Sequence, residues 1–374
     1  MRVIFACAGT GGHINPAIAI ANIILQKEPD SKFLFVGTKD GIENELVTKA
    51  GYEIKQIRTG KIIRSITLKN FSAIINTVKG MGDANKLVKE FKPDVVIGTG
   101  GYICVPVMHA SKKYKIPYIL HESNAFPGVS VKLYAKNAVT VMVGFKDAKS
   151  RLKNGKNVVY TGTPARFTKE NIQILNRDKC RTKLKLNNIS KKIILVTGGS
   201  QGAKRFNQVI LDMVKTYLSD DIYIVLVTGN KNYDEILNLK REIEKEKNIK
   251  LDKYIKIEKF VHNMDEMYKA VDMCITRAGA MTITELEIAG KPSILIPLPT
   301  AAENHQFYNA KVLANSHAGI IIEQKDLTLK LLYDKINYMI NDKNLKMMSD
   351  NALKLVTNGV EEKIYKCIKD AVKK

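Results

Sequence analysis

Acidic residues are scarce relative to basic ones: 37 Asp and Glu stand against 60 Lys and Arg, a formal charge of +23. That imbalance suits an anionic partner such as nucleic acid, a phosphorylated substrate or a membrane surface. It equally suits a composition rich in Lys, Asn and Ile. Cysteine is sparse too. Cys7, Cys104, Cys180, Cys274 and Cys367 are odd in number, far apart and never form CxxC, which argues against a disulfide framework or a zinc site and for a reducing compartment. No apolar run approaches the roughly 20 residues of a membrane span, and glycines interrupt the N-terminal RVIFACA too early for a signal-peptide core. A cytosolic protein is expected, with membrane contact left to its surface.

Several motifs are missing as well. There is no GxxxxGK[ST], which disfavours a P-loop ATPase, and Ile14 stands where a third glycine would complete GxGxxG, which weakens a dehydrogenase reading. The histidines, His13, His109, His121, His262, His305 and His317, show neither HxH nor HExxH spacing, and no Asp-x-Asp pair offers itself to a divalent ion. Neither a metal nor a cofactor is expected. The basic runs lack interleaved aromatics and no nucleic-acid module is recognisable, so a nucleic-acid partner is the weaker account of the charge.

What is present is a rhythm. The 374 residues are too many for one comfortable core and suit two domains. Short apolar runs (RVIFACA, KFLFVGT, DVVIGTG, PYILHES, AVTVMVG, then KIILVTGG, IYIVLVTG, MCITRAG, SILIPLP) alternate with helix-like segments. Continuous apolar strands of this kind are buried on both faces, so the reading is α/β, with two doubly wound parallel sheets. FACAGTGGH and LVTGGSQGA form a weak internal repeat, each placing glycines where a first strand enters its helix. The boundary is expected near Thr163 and Pro164, giving domains 1–163 and 164–374. The last segment, after Asp342, should return as helix across both domains.

Three glycine clusters follow strands: Gly9 to His13, Gly98 to Tyr102 and Gly198 to Ala203. Glycine permits tight turns and close approach, and free amides at the next helix start favour negative charge. Any of the three is a candidate phosphate cradle. TRAGAMTITELEIAGKP, from Thr276 to Pro292, reads as strand, turn and helix, with Thr282, Thr284 and Glu285 expected in the first turn. Glu285 is there either to complement the helix dipole or to accept hydrogen bonds from two ribose hydroxyls.

GTGGHINPAIAIA, GTGGYICVP, HESNAFPG, GTPAR, GGSQGA, TRAGAMTITEL and ENHQFYNA occur in the order found in the MurG family, which the chain resembles over most of its length. The resemblance implies a GT-B fold, two Rossmann-like domains facing a cleft, and inverting transfer of N-acetylglucosamine from UDP-N-acetylglucosamine to the C4 hydroxyl of lipid I, forming lipid II in peptidoglycan synthesis. It implies an N-terminal acceptor domain and a C-terminal donor domain. Donor contacts should come from Thr10, Gly11, Gly12, Asn124, Arg166 and Ser200, from the Val261 backbone at the uracil, and from Ala280, Met281, Thr282, Ile283 and Thr284 at a helix start. Glu285 should hold ribose, with His305 and Gln306 at the sugar hydroxyls. Thr163 and Ser123 depart from the family pattern, which commonly has asparagine and glutamine there. Other GT-B UDP-sugar transferases or epimerases are the nearest alternatives.

Transfer needs a base for the acceptor hydroxyl. His13, which opens the helix after the first loop and carries an imidazole, the side-chain type suited to proton exchange near neutral pH, is the first catalytic candidate, and Glu122 the second or its support. The bland alternative for His13 is a structural helix-start residue. The lipid acceptor also implies an enzyme at the inner, anionic face of the cell membrane, with cell-wall or division proteins as further partners. KIIRSITLKNFSAIINTVKGM mixes basic residues with Ile62, Ile63, Ile66, Phe71 and Ile75, partly at helical spacing, and either packs in the core or docks on that surface.

Overall fold

A β-strand followed by a helix at the strand's carboxyl edge is the repeating element. The structure, a computed structural model, describes residues 1–60, 68–186, 189–198, 204–217 and 219–373, the side chains of 68–72 excepted. The chain divides into two units, Met1–Ala165 with Thr357–Lys374, and Arg166–Val356. The second is thus shorter than the expected 164–374, because the chain's end belongs with the first.

The first unit runs β1 (Arg2–Cys7), α1 (Gly11–Lys27), β2 (Lys32–Gly37), α2 (Glu43–Lys49), β3 (Ile54–Gln56), α3 (Leu68–Phe91), β4 (Val95–Gly100), α4 (Cys104–Lys113), β5 (Tyr118–Glu122), α5 (Val129–Tyr134), β6 (Thr140–Val143), α6 (Lys146–Arg151) and β7 (Val158–Tyr160). Its seven-stranded sheet has the order β3-β2-β1-β4-β5-β6-β7, with every pairing parallel. Strand side chains alternate between two cores. Ile4, Ala6, Val96 and Leu120 face the layer that includes Val88 and Met108, while Val3, Phe5, Ile97 and Ile119 face Ile20 and Ile24 of α1. Both faces are covered, which is why these strands read as unbroken apolar runs.

The second unit comprises α7 (Lys169–Ile174), α8 (Arg177–Lys183), β8 (Lys192–Thr197), α9 (Lys204–Thr216), β9 (Ile222–Val227), α10 (Tyr233–Lys247), β10 (Ile255–Glu258), α11 (Met264–Ala270), β11 (Met273–Thr276), α12 (Ala280–Ala289), β12 (Ser293–Leu295), α13 (His305–Asn315), β13 (Gly319–Ile321), α14 (Leu329–Met339) and α15 (Asp342–Leu353). Its parallel six-stranded sheet, β10-β9-β8-β11-β12-β13, repeats the order of the first. In each sheet the winding reverses beside the first strand, between β1 and β4 and between β8 and β11. Ligands of open α/β sheets bind at such switch points, outside the strands' carboxyl ends.

The last helix, α16 (Val360–Val372), buries Ile364, Ile368 and Ala371 in the first unit's α1 face. Its apolar stripe would otherwise face water, and Glu28 fixes its register. That carboxylate accepts from Lys369 Nζ at 2.6 Å and Tyr365 Oη at 2.7 Å, with the N-terminal amine at 3.4 Å. The Lys369 ammonium, then the Tyr365 hydroxyl, hold Glu28 down at about 2.

Candidate active site

The first unit's switch point brings two of the three glycine clusters together. After β1, the chain turns through Gly9, where φ is +93°, and enters α1 with Thr10 as an extended N-cap whose side chain makes no capping bond. That side chain therefore does not cover the first-turn amides; His13 N donates to Thr10 O at 3.0 Å, and the Gly11 and Gly12 amides stand at a helix start, a setting that suits an anion. No acidic residue lies in that turn. His13 Nδ1 meets the Ala8 carbonyl at 2.9 Å. Only a donor can do so, which leaves Nε2 as the acceptor of a neutral imidazole. Thr99 Oγ1 donates to the His13 carbonyl at 2.7 Å. Gly100, at φ +124°, lies against the imidazole: a Cβ there would come within 2.5 Å of His13 Cδ2.

Glu122 ends β5 almost fully buried. Its Oε1 accepts from the Asn124 amide and side chain, both at 2.9 Å, and its Oε2 from Gly128 N at 2.7 Å. Burial pushes this carboxyl up, against the amides of Gly128 and Asn124 and the attraction of His13. The group thus organises the 122–128 loop. Of the two departures from the family pattern, Ser123 and Thr163, both are buried, and Ser123 Oγ meets His121 Nδ1 at 3.3 Å.

In the second unit the loop after β8 carries Ser200, which lies outside the described residues. After β11, Gly279 is the N-cap of α12 and again no acid occupies the first turn. This corrects the expected placement of Glu285: the helix begins at Ala280, so Glu285 falls in its second turn and does not answer the dipole at the helix start. Its charge is met by side chains instead. Glu285, 2% exposed, accepts from Arg166 Nε at 2.9 Å and from Tyr268 Oη at 3.2 Å. Burial and the neighbouring Glu285 charge push the Tyr268 phenol far up, so it remains a donor. Arg166 and Glu285, far apart in sequence, are brought together. Ile283 is wholly buried, and its amide donates to Gly279 O at 2.9 Å, so it belongs to the helix and core. Ala280 and Thr284 are also buried, while Met281 and Thr282 are half-buried; Val261 is 9% exposed beside an exposed Phe260.

Sequence reasoning missed how this edge is tied together. Gln306 Oε1 accepts from Ala278 N at 3.2 Å and Leu298 N at 2.9 Å, linking the α12 turn to the loop before α13. His305 opens α13 after Glu303 and Asn304, both at positive φ, a strained approach for residues with side chains. Arg277, 7% exposed, donates through Nη1 to the carbonyls of Ile296 and Pro297 at 3.0 and 3.2 Å and through Nη2 to Gln324 at 2.7 Å. Its only advance sign was a basic residue inside TRAGAM. Glu43 was missed too. It lies fully buried beneath the first loop, accepting from Gly9 N at 3.2 Å, Thr38 N at 2.9 Å and Thr38 Oγ1 at 2.8 Å.

Of the membrane candidates, Ile62, Ile63, Ile66 and the Phe71 side chain lie outside the described residues. Ile75 is described and is 40% exposed on α3, beside Ile74 at 52% and Val78 at 61%.

Two parallel sheets of one winding order, each with an uncapped helix start at its switch point, form the architecture of a GT-B glycosyltransferase. Residues 3–143 match the glycosyltransferase family 28 N-terminal domain and residues 193–365 the glycosyltransferase family 28 C-terminal domain. The chain is 40% identical, over 100% of both chains, to the UDP-N-acetylglucosamine--N-acetylmuramyl-(pentapeptide) pyrophosphoryl-undecaprenol N-acetylglucosamine transferase of Ruminiclostridium cellulolyticum. It is 41% identical, over 99% of both, to the protein of the same name from Thermoanaerobacter sp.. Among solved structures, MurG of Acinetobacter baumannii aligns with a TM-score of 0.76 at 27% identity, over 99% of each chain. The chain belongs to the MurG family of glycosyltransferases.

Proposed function

We propose that this protein transfers N-acetylglucosamine from UDP-N-acetylglucosamine to the C4 hydroxyl of lipid I, forming lipid II. The observation that carries the reading is kinship at about 40% identity along the whole chain with transferases named for this reaction. The acceptor oxygen attacks the anomeric carbon, the new C–O bond forms with inversion as the bond to UDP breaks, and the hydroxyl proton passes to His13 Nε2. UDP leaves as the anion. His13 suits the role because its Nδ1–H is already engaged by Ala8 O, which leaves Nε2 as the acceptor.

The second unit takes the donor. Uncapped amides at the start of α12 favour the diphosphate, with Arg166, Ser200 and the Thr282 and Thr284 hydroxyls toward the nucleotide and His305 and Gln306 toward the sugar. Glu285 receives the ribose diol and the Val261 backbone the uracil. In the first unit, Thr10, Gly11, Gly12 and Asn124 border the reacting centre. The lipid-linked acceptor calls for work at the anionic inner face of the cell membrane, and the exposed Ile74, Ile75 and Val78 support peripheral docking through α3. Among the described residues no helix is long and apolar enough to cross a membrane.

The decisive assay is transfer of labelled sugar from UDP-N-acetylglucosamine to a lipid I analogue. Turnover by the native chain and its loss at saturating substrate in His13→Ala are expected. Absence of product with the native chain would overturn the substrate reading, and near-normal turnover of the variant would remove His13 as the base.

A further inference from the structure

The peptide unit joining Ala8 to Gly9 is gripped at both ends. Its carbonyl accepts from His13 Nδ1 at 2.9 Å, and its N–H donates to Glu43 Oε2 at 3.2 Å. A carboxylate, one peptide group and an imidazole therefore lie in a single hydrogen-bonded row. We propose that Glu43 is a positioning residue for His13, acting through the Ala8–Gly9 peptide as a buried carboxylate that orients the imidazole and raises its basicity. The inference rests on His13 being the base that receives the acceptor proton.

First, Glu43 is 0% exposed, and a buried carboxylate persists only where donors meet it. Its Oε1 has the Thr38 amide and hydroxyl, but Oε2 has the Gly9 amide. Second, the row is polarised in one sense. Negative charge at the N–H end pushes the peptide's electrons toward its carbonyl, which strengthens the bond from Nδ1–H and favours positive charge on the ring, and chains of hydrogen bonds reinforce one another in a low-dielectric interior. Third, the surroundings are built around these groups. A Cβ on Gly41 would lie 2.0 Å from Glu43 Oε1, one on Gly37 2.6 Å from Glu43 Cγ, and one on Gly101, at φ +87°, 2.5 Å from Ala8 O. Glycines on two different loops thus leave room for the carboxylate and the relayed carbonyl. Helix capping does not explain Glu43's contacts: they fall on Gly9 and Thr38, outside its own helix α2.

Other titratable groups flank the row and are held constant by the experiment. Glu122 of β5 acts on His13 directly. Cys7 of β1 lies near Glu43 and Cys104, and burial pushes its thiol well up, so it stays neutral. The Tyr102 ring lies against Gly9.

The test is histidine-selective NMR titration of the full chain, with the His13 resonance assigned by its loss in His13→Ala, together with the pH profile of kcat. Glu43→Gln keeps the side chain's size and removes its charge. The expected result is a downward shift of the His13 titration by about one pH unit and a matching shift of the acidic limb of kcat, with KM for the donor little changed. Thr38→Val withdraws one donor from Glu43, leaves more charge for Gly9, and should move the same titration upward. An unshifted His13 in folded Glu43→Gln overturns the relay, even if turnover falls. Should Glu43→Gln fail to fold, Thr38→Val decides: an upward shift supports the relay, and no shift or a downward one overturns it. The base reading fails separately, through an active His13→Ala.

Discussion

Replacing Glu285 with Gln tests the donor site most sharply, because the structure says how much of the carboxylate is already in use. Its two oxygens offer about four acceptor directions. Arg166 Nε and Tyr268 Oη fill two, at 2.9 and 3.2 Å, one on each oxygen. Among the described residues two remain, one per oxygen, which is the pattern a ribose diol needs. A hydrogen bond to a charged group contributes about 1.5–3 kcal/mol. Removing the ligand's 2′-hydroxyl should therefore cost the native protein about 2 kcal/mol, or roughly 30-fold in Kd. Gln offers one carbonyl oxygen and an amide donor, so the same deletion should cost the variant less than about fivefold. The assay is calorimetric titration of UDP and 2′-deoxy-UDP into native and Glu285→Gln protein, four numbers that close a cycle. Comparing ratios cancels any general loosening of the site, which weakens both ligands alike. If the variant keeps the native discrimination, Glu285 does not hold ribose and its bonds to Arg166 and Tyr268 are purely structural.

Three further outcomes follow from the geometry. Gly100→Ala places a methyl 2.5 Å from His13 Cδ2, in a backbone at φ +124°; strain of about 1–3 kcal/mol should lower turnover at least tenfold with UDP affinity kept, and an unaffected rate would mean the imidazole can leave this position harmlessly. Glu28→Gln frees α16: since folding lowers this pKa from 4.5 to about 2, its contribution is full above pH 4.5 and lost as pH falls through 2. Solvent screening, with Lys369 37% exposed, reduces it to about 1 kcal/mol, so the variant should melt about 2–4 °C lower at pH 7 and equally near pH 2; a gap that persists in acid would refute the assignment. Changing Ile74, Ile75 and Val78 together to Ser should abolish most sedimentation with anionic vesicles while the fold holds, because all three are already exposed; unchanged sedimentation would move the docking surface elsewhere.

The sheets were legible because burial on both faces leaves an unmistakable residue pattern: Val3 to Cys7 and Val95 to Ile97 are wholly buried and wholly apolar. The glycine loops were legible for a related reason, since a residue at φ +124° or +87° has few alternatives to glycine. What escaped was the support behind those loops. Glu43 sits in an ordinary polar stretch, and nothing local shows that its oxygens reach Gly9 across the sheet's edge. Glu285 was seen but set one helical turn too early, because Thr282 and Thr284 resemble a helix start while the turn at Gly279 begins α12 two residues before Thr282. Arg277 and Gln306 show the same limit. Their partners Ala278, Ile296, Pro297 and Gln324 are distant in sequence and mostly backbone atoms, which carry no side-chain signature.

The two units share a strand order, yet their switch points differ in the sign of what is buried behind them. Behind the first loop of the first unit stand two carboxylates, Glu43 and Glu122, at 0% and 4% exposure, with backbone amides as their main donors. In the proposed mechanism, a negative Glu43 there would favour a proton-bearing imidazole. Behind α12 in the second unit stands Arg277, whose guanidinium is met by carbonyl and amide oxygens and by no carboxylate among the described residues. Burial pulls its pKa down, but a guanidinium starts so high that it keeps its charge. Positive charge in that place adds to the helix dipole and favours a diphosphate. On the proposed mechanism, one architecture, repeated, would serve as a proton acceptor in one copy and an anion acceptor in the other through a few buried charges. Arg277→Met, which removes the charge and keeps an unbranched apolar side chain, should accordingly weaken UDP far more than uridine, whereas a merely structural arginine would weaken both equally.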